Sequence, residues 1–313
     1  MLENFVICVN AVIPSAIYLI VGICLKLFRV VSDEEVKRFT RMTFIALYPF
    51  LMFDNLYGKD IGASFDWKLI IYAVAFIAFQ IVSSWLFVCK TQPDNYNRGA
   101  MIQALYRSNI VLMGLPIAIN LFGKGNVTSV AVVLMFAVPI YNIVAVVIFE
   151  RFRGGKVNVR EIVKGVFTNP LIVGGLVACV VMILRITVPE MIYKTIVTLS
   201  DSTTPIAMIL LGASLNLHGF SEDRSKVATC VVGKLIIFPA LGIGGAVLLG
   251  IRGVDLIAIV LMCATPTALA SFAMASSMGG NGKLAGETVV VSTLLACFTM
   301  PIWLFILKTA EMF

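Results

Sequence analysis

The stretch Arg107-Ser-Asn-Ile-Val-Leu-Met-Gly-Leu-Pro116 interrupts a long apolar segment with polar and helix-weakening residues. Its glycine and proline weaken the backbone hydrogen bonds of a helix, and its serine and asparagine offer hydrogen-bonding groups where lipid offers none. About 158 residues later a second apolar segment contains a similar interruption, Thr265-Pro-Thr-Ala-Leu-Ala-Ser271. Polar, proline-broken segments at matching places in two halves of a chain indicate the substrate site of a transporter.

The composition is typical of a membrane protein. Apolar residues make up 60% of the chain and charged residues 13%, whereas soluble domains are about 25% charged. The net charge of +7 comes mostly from short loops on one side, so it predicts membrane topology and no nucleic-acid binding. The seven cysteines are scattered and His218 is the only histidine, so we predict no metal site and no cofactor.

Ten apolar runs are long enough to cross a hydrocarbon core, which needs roughly 20 residues per helix. They cover approximately residues 5–28, 38–57, 67–89, 98–122, 127–149, 162–184, 190–216, 226–250, 255–278 and 286–308. Fifteen Lys and Arg residues fall on one side of these spans and seven on the other. Because basic loops stay in the cytoplasm, we expect a multi-pass protein of the cell membrane with both termini outside the cytoplasm.

Prolines recur in the same order in the two halves of the chain. The matching pairs are Pro14 with Pro170, Pro49 with Pro205, and Pro139 with Pro301. We therefore expect two five-helix repeats, residues 1–150 and 162–313, joined by a short cytoplasmic loop at 151–161. A repeat with five spans ends on the opposite side of the membrane from the side where it began, so the second repeat would have the inverted orientation. The alternative is coincidence, because 11 prolines give many pair spacings.

The predicted fold is an all-α polytopic membrane protein in which the broken helices 4 and 9 cross. Crossing would bring four half-helix ends together, and the N-terminal ends favour an anion such as a carboxylate. Candidate substrate-binding residues at this site are Ser108, Asn109, Gly114, Pro116, Thr265, Pro266, Thr267 and Ser271. Alternatively, these residues only satisfy backbone groups that proline and glycine leave open. We prefer a functional role for Asn109 and Pro266, and both interpretations stay open for Thr265, Thr267 and Ser271.

Three more polar residues in apolar runs, Asn10, Tyr48 and Asn142, are candidates for lining the substrate cavity. Hydrogen bonding between helices is an equally good interpretation of them.

Ionisable residues within membrane segments are costly and therefore suggest function. Asp201 is a candidate carrier of H⁺ or Na⁺, or the N-cap of a half-helix that Pro205 begins. Arg107 could supply a positive charge beside the substrate, reach toward an interface, or pair with a carboxylate. Glu287 is a third candidate for ion coupling, although a charge near the cytoplasmic start of the tenth span also explains it. Lys234 falls inside the eighth span, with no partner that the sequence identifies.

Four motifs resemble those of the auxin efflux carrier family, which includes plant auxin carriers and bacterial malonate-type permeases. They are Ser108–Pro116 in the fourth span, Leu199–Leu215 in the seventh, Thr265–Ala275 in the ninth and Ser292–Pro301 in the tenth. The resemblance implies ten spans in two inverted repeats, with a scaffold domain and a moving crossover domain that carries organic anions. It also implies that Asn109 contacts the substrate carboxylate, that Pro266 is a crossover proline, and that a homodimer is possible.

The chain departs from the plant carriers at several positions. They have proline where Ser108 stands, a second asparagine where Leu171 follows Asn169-Pro170, and a long central loop that is short here. These departures favour a bacterial-type carrier of a small carboxylate over an auxin carrier.

We therefore predict a secondary active transporter of small organic anions that works by alternating access. The alternative is a transporter-like membrane sensor that binds a carboxylate and signals to a partner. An intramembrane enzyme is not predicted, because no paired aspartates, HExxH motif or Ser/His pairing can be identified.

Overall fold

The computed structural model describes residues 2–57, 66–123, 126–153, 168, 170–214 and 224–313. The helices in these ranges are α1 Leu2–Leu27, α2 Asp33–Ala46, α3 Tyr48–Leu56, α4 Trp67–Thr91, α5 Asn95–Tyr106, π1 Ile110–Gly114, α6 Leu115–Phe122, α7 Thr128–Arg153, α8 Pro170–Ile183, α9 Glu190–Ser214, α10 Arg224–Val232, π2 Gly233–Ile237, α11 Phe238–Leu248, α12 Gly253–Ala264, α13 Leu269–Ser277 and α14 Gly282–Thr309. Over the described ranges the only β-type pairing is one isolated bridge. The all-α prediction is confirmed for this part of the chain.

Several helices have the length and composition of membrane spans. Within the described ranges, five are long and apolar enough to cross a bilayer: Trp67–Thr91, Thr128–Phe152, Glu190–Ser214, Arg224–Leu248 and Gly282–Thr309. Shorter apolar helices cover Ala16–Leu27, Ile110–Phe122, Ile172–Ile183 and Gly253–Ala264. A multi-pass arrangement follows from these helices, whereas the count of ten spans stays a prediction. His218 and most of the loop at 151–161 lie outside the described residues.

Both predicted helix interruptions are present. In the fourth segment, residues 107–109 separate α5 from π1, and α6 continues the segment to Phe122. In the ninth, residues 265–268 separate α12 from α13. Every residue of α12 from Leu256 to Ala264 is buried, as expected for a helix that is apolar on all sides. The second interruption therefore lies inside the helical packing.

Two segments differ from the sequence-based expectations in how proline affects the helix. The second segment is split at Leu47 into α2 and α3, with Pro49 in the first turn of α3. The seventh segment is not split, because α9 runs from Glu190 to Ser214 with Pro205 inside it. A proline removes one backbone hydrogen bond, and the turns on both sides of Pro205 keep the helix continuous. Asp201 therefore lies within a helix and does not cap one.

The helices pack in two groups. In the first, α1 runs along α9 and α3 along α8, with α2 also against α9. The second group surrounds the two interrupted segments and contains α4 to α7 and α10 to α14. The groups meet where α1 contacts α6 and α14, where α3 and α8 contact α7, and where α9 contacts π1. Beside α1 a small apolar cluster, separate from the main core, is formed by Leu19, Met208, Leu211, Val289 and Val290.

Helices α1 and α9 approach each other through two glycines. A Cβ atom on Gly22 would lie 1.9 Å from the Ile209 carbonyl oxygen, and one on Gly212 would lie 2.1 Å from the Leu19 carbonyl oxygen. Both distances are too short for any side chain, so the two backbones touch directly. Small residues at such contacts are a general means of helix association in membranes.

We predict that Gly212→Ala destabilises the protein by about 1–3 kcal/mol, because the new methyl group must push α9 away from α1. Thermal unfolding of the purified protein in detergent measures this as a fall in Tm. Gly244→Ala is the matched control, since a Cβ at this exposed helical glycine meets nothing within 4 Å. Equal Tm values for the two variants would contradict the predicted close contact.

Candidate substrate site at the crossing of two broken helices

The two interrupted segments pair with each other at their breaks. Ser108 and Thr267 form an antiparallel bridge. The Asn109 N–H donates to the Pro266 carbonyl at 2.8 Å, and the Ala268 N–H donates to the Arg107 carbonyl at 3.2 Å. Each interruption leaves backbone N–H and C=O groups without partners in their own helix. Backbone groups of the opposite break form hydrogen bonds with them, as an apolar environment requires.

Each break also caps the helix that precedes the other break. Pro266 has no N–H to donate to the Met262 carbonyl four residues earlier, and the Ser108 hydroxyl donates to that carbonyl instead. In return the Thr267 hydroxyl donates to the Ala104 carbonyl near the end of α5, at 2.8 Å. The hydroxyl groups predicted at these two positions are therefore engaged in holding the crossing together.

Asn109 has a buried polar group at this site that lacks a partner among the described residues. Its side chain is buried, with 4% exposed. Its backbone N–H and carbonyl are used, the carbonyl accepting from the Met113 N–H at 3.0 Å. The side-chain amide nitrogen has no hydrogen-bond partner among the residues that the structure describes. A buried donor left unpaired costs about 1–3 kcal/mol, and an acceptor on a bound ligand would offset that cost.

The start of α13 offers a second set of donors. Ala268 precedes α13 and provides no side-chain cap. Ser271, in the first turn, is 1% exposed, and its hydroxyl lacks a partner within the described ranges. The first N–H groups of a helix have no partners inside that helix, and they carry partial positive charge. Asn109 stands in the same position before π1, also without a side-chain cap.

The remaining predicted residues of the two breaks have packing or local hydrogen-bond roles. The Thr265 hydroxyl donates to the Leu261 carbonyl of its own helix at 2.8 Å. The Thr267 N–H donates to the Ser292 hydroxyl of α14 at 3.2 Å. A Cβ on Gly114 would lie 2.9 Å from Ile110 and 3.3 Å from Leu261 and Thr265, so glycine here permits close packing of the two segments.

Arg107 is held inside the protein by neutral groups. Its side chain donates to the Asn142 amide oxygen at 2.6 Å and to the Met274 sulfur at 2.9 Å. With 6% of its surface exposed, it does not reach an interface. Its recorded partners include no carboxylate in the described ranges, so both structural alternatives considered for Arg107 are wrong. The guanidinium lies between Asn142 of α7 and Met274 of α13, and so places a positive charge beside the helix that follows the second break.

Lys234 contributes a second buried cation, and sequence reasoning found no partner for it. It lies in π2 with none of its surface exposed. Its ammonium group donates to the Ser108 hydroxyl, a residue 126 positions away in the sequence. Only the fold brings the two together, because nothing in the local pattern of either segment points to the other.

A cavity of about 180 Å³ lies between the two helix groups. It contains Pro116, predicted as a substrate-site residue, and Asp201, predicted as an ion carrier. Pro116 is seven residues beyond Asn109, which is roughly 10 Å along a helix. The other lining residues are Pro14, Tyr18, Leu51, Ile119, Asn120, Ser200, Thr204 and Pro205. Sequence reasoning missed most of them, because single polar residues on different helices gave no common pattern.

Three other predicted residues lie elsewhere in the structure. Tyr48 is buried at the start of α3 with its ring 5.1 Å from that of Phe44. Asn10 is exposed on α1, and Glu287 is half-buried in the second turn of α14. Across the described ranges, no group of three or more His, Cys, Asp or Glu residues could hold a metal ion.

We predict that Thr267→Val destabilises the protein by about 1–3 kcal/mol, because the Ala104 carbonyl at the end of α5 loses its donor. Thr288→Val is the control, since the Thr288 hydroxyl is equally buried but donates only within its own helix, to Leu284 at 2.8 Å. Thermal unfolding in detergent compares the two. A Tm for Thr267→Val at or above that of the control would refute the capping role.

The sequence matches proteins that are named transporters. One relative, an uncharacterized transporter of Methanothermobacter thermautotrophicus, is 24% identical over 302 residues, which cover 94% of this chain and 96% of the relative. An uncharacterized transporter of Methanocaldococcus jannaschii is 20% identical over 95% of this chain and 98% of its own length. A provisionally named malonate transporter of Rhizobium meliloti is 22% identical over 65% of each chain.

A family model described as "Membrane transport protein" matches residues 7–304. The match covers nearly the whole chain and includes both broken segments and all four motifs that resemble the auxin efflux carriers. The chain therefore belongs to the membrane transport protein family of auxin efflux carriers.

Proposed function

We propose that this protein is a secondary active transporter of small organic anions, and that the crossing of the broken helices binds the anion. The single observation that carries the proposal is the side-chain amide nitrogen of Asn109, which is buried without a hydrogen-bond partner in the described part of the chain. A carboxylate oxygen is the natural acceptor for such a donor, because hydrogen bonds to charged groups are about twice as strong as neutral ones.

The surroundings of Asn109 support an anion as the ligand. The start of α13 presents its first N–H groups and the buried hydroxyl of Ser271, and helix N-termini favour negative charge. Two buried cations add positive charge near the breaks: Lys234 donates to Ser108, and the Arg107 side chain donates to Met274 of α13. In this arrangement neutral donors contact the ligand and the charged side chains lie farther from it. Such binding is weaker than direct ion pairing, which suits a carrier that must also release its substrate.

The substrate we propose is a small mono- or dicarboxylate. The name of the Rhizobium meliloti relative mentions malonate, which carries two carboxylates on one carbon. Malonate is therefore the first compound to test, followed by malate, lactate, citrate and indole acids. A thermal-shift screen finds binders among them, and counterflow in proteoliposomes then establishes transport.

Transport would proceed by alternating access of the elevator type. The group containing the crossing would move as a unit against the group of α1, α2, α3, α8 and α9. The cavity beside Pro116 lies at the boundary between the two groups, where such a movement would open a path to the site. The apolar cluster around Leu19 lies at this boundary and is separate from the main core.

The wider architecture that accompanies this mechanism also belongs to the proposal. It comprises ten spans in two inverted repeats, both termini outside the cytoplasm of the cell membrane, and a possible homodimer. The reciprocal caps of Ser108 on α12 and Thr267 on α5 support the repeats, because equivalent residues of two related halves then perform the same task for each other. Cysteine-accessibility labelling of residues near each terminus tests the orientation.

A membrane sensor is the second candidate function, and the same buried site would serve it. Counterflow distinguishes the two. A carrier exchanges internal for external labelled anion, whereas a sensor binds the anion and leaves the internal pool unchanged.

We predict that Asn109→Asp lowers affinity for the transported anion at least about tenfold, because a carboxylate replaces the amide donor at the same size and repels the substrate. Asn109→Ala should lower it in the same direction by losing the donor alone. Isothermal titration with the anion found in the screen measures both. Asn126→Asp is the control, since Asn126 is exposed and its amide donates to the Phe122 carbonyl at 2.9 Å. Unchanged affinity in the Asn109 variants, with Tm preserved, would remove Asn109 from the site.

We also propose that Asp201, in the wall of the cavity, carries the coupling ion, H⁺ or Na⁺. For Asp201→Asn we predict that counterflow exchange persists, whereas accumulation driven by an imposed gradient falls at least tenfold. Comparing a pH gradient with a sodium gradient in the unmodified protein identifies the ion. Accumulation by Asp201→Asn equal to that of the unmodified protein would exclude a coupling role.

A further inference from the structure

Lys234 is an unusual residue for the centre of a membrane segment. None of its surface is exposed, and a lysine ammonium buried without compensation costs several kcal/mol. The ion pairs Lys26–Asp33, Arg38–Glu34 and Lys194–Glu190 each have at least one exposed member. None of them involves Lys234, so no carboxylate of the described ranges balances its charge. Something else must stabilise the ammonium group.

The hydrogen-bond chain identifies what stabilises it. The Lys234 ammonium donates to the Ser108 hydroxyl, and that hydroxyl donates to the Met262 carbonyl in the last turn of α12. The ammonium is therefore linked through Ser108 to the last turn of α12, and Ser108 lies two residues after the end of α5. The C-terminus of a helix carries about −0.5 of an elementary charge, so two such ends together offset about one positive charge.

The local structure of the eighth segment places Lys234 at this point. Lys234 lies in the π-helical turn π2, and such turns are frequent at functional sites. Gly233 allows the turn to approach α5, since a Cβ there would lie 2.5 Å from the Leu105 side chain. Pro239 has no N–H for the Leu235 carbonyl, and the Trp303 indole N–H donates to that carbonyl at 3.0 Å. Gly233 thus permits the close approach of the turn to α5, and Trp303 satisfies the carbonyl that Pro239 leaves without a donor.

We propose that Lys234 is the built-in cation of the crossing, and that its ammonium group occupies the position where converging half-helix C-termini would otherwise bind a monovalent metal cation. Such ends coordinate Na⁺ in transporters with broken helices. Here the cation is part of the chain, so the crossing needs no bound sodium. Lys234 acts as a positioning residue, because it holds Ser108 in place and does not contact the substrate. The corollary that sodium coupling cannot arise at the crossing rests on the proposed transport function.

The experiment removes the Lys234 ammonium group by mutation and restores it with a small amine. Lys234→Ala deletes the atoms of n-propylamine, so n-propylammonium restores both volume and charge, whereas n-propanol restores a similar volume only. We expect n-propylammonium to raise the Tm of purified Lys234→Ala and n-propanol not to. Lys226→Ala, at a half-buried lysine in the first turn of α10, should respond to neither compound. Equal responses to the amine and the alcohol, or no response to either, would overturn the proposal.

The comparison remains decisive if Lys234→Ala folds poorly. In that case the variant is expressed with and without each compound, and the folded fraction is read from the monodisperse peak in size-exclusion chromatography. Recovery with n-propylammonium alone supports the built-in cation, and any other pattern contradicts it. Both measurements proceed without substrate, so they stand even if no organic anion is transported. Absence of counterflow would refute the proposed function and leave the result for Lys234 intact.

Discussion

The structure depends on one constraint, namely that every backbone polar group within a bilayer must find a partner inside the protein. An unbroken α-helix meets this constraint most simply, and two segments depart from it because their helices are interrupted in the middle. They satisfy the constraint jointly, through the bridge between Ser108 and Thr267 and the hydrogen bonds on either side of it. Neither break would be stable alone, because each uses donors and acceptors that belong to the other. The crossing is therefore a single cooperative unit made from residues far apart in sequence.

The crossing treats its two kinds of helix end differently. The C-terminal ends of α5 and α12 are capped by hydroxyl groups and lie beside the Lys234 ammonium. The N-terminal ends before π1 and α13 have no side-chain cap, and buried polar atoms of Asn109 and Ser271 remain unpaired in the described residues. Helix dipoles are negative at the first kind of end and positive at the second. One side of the crossing is therefore completed by the chain, and the other is where we propose that the anion binds.

The packing around this unit is compatible with movement. Main-core residues enclose α12 from Leu256 to Ala264, at the centre of the group that carries the crossing. The group of α1, α2, α3, α8 and α9 is held together by direct backbone contacts such as that of Gly22 with α9. The two groups meet across a cavity and a small apolar cluster over part of their boundary. The chain belongs to a family of membrane transport proteins, and the alternating-access movement that we propose would take place at this boundary.

The sequence by itself determined the helical class, the transporter family and the two interruptions, because hydropathy and proline placement act locally. It also singled out Asn109, since an amide within a broken apolar segment stands out without any knowledge of contacts. Only the tertiary structure decided which polar groups are already paired. It assigned Ser108 to capping and to Lys234, gave Arg107 to Asn142, and kept α9 continuous through Pro205. The hydrogen bonds of Ser108 join residues up to about half the chain apart. Pairing over such separations produces no local sequence pattern from which it could be predicted.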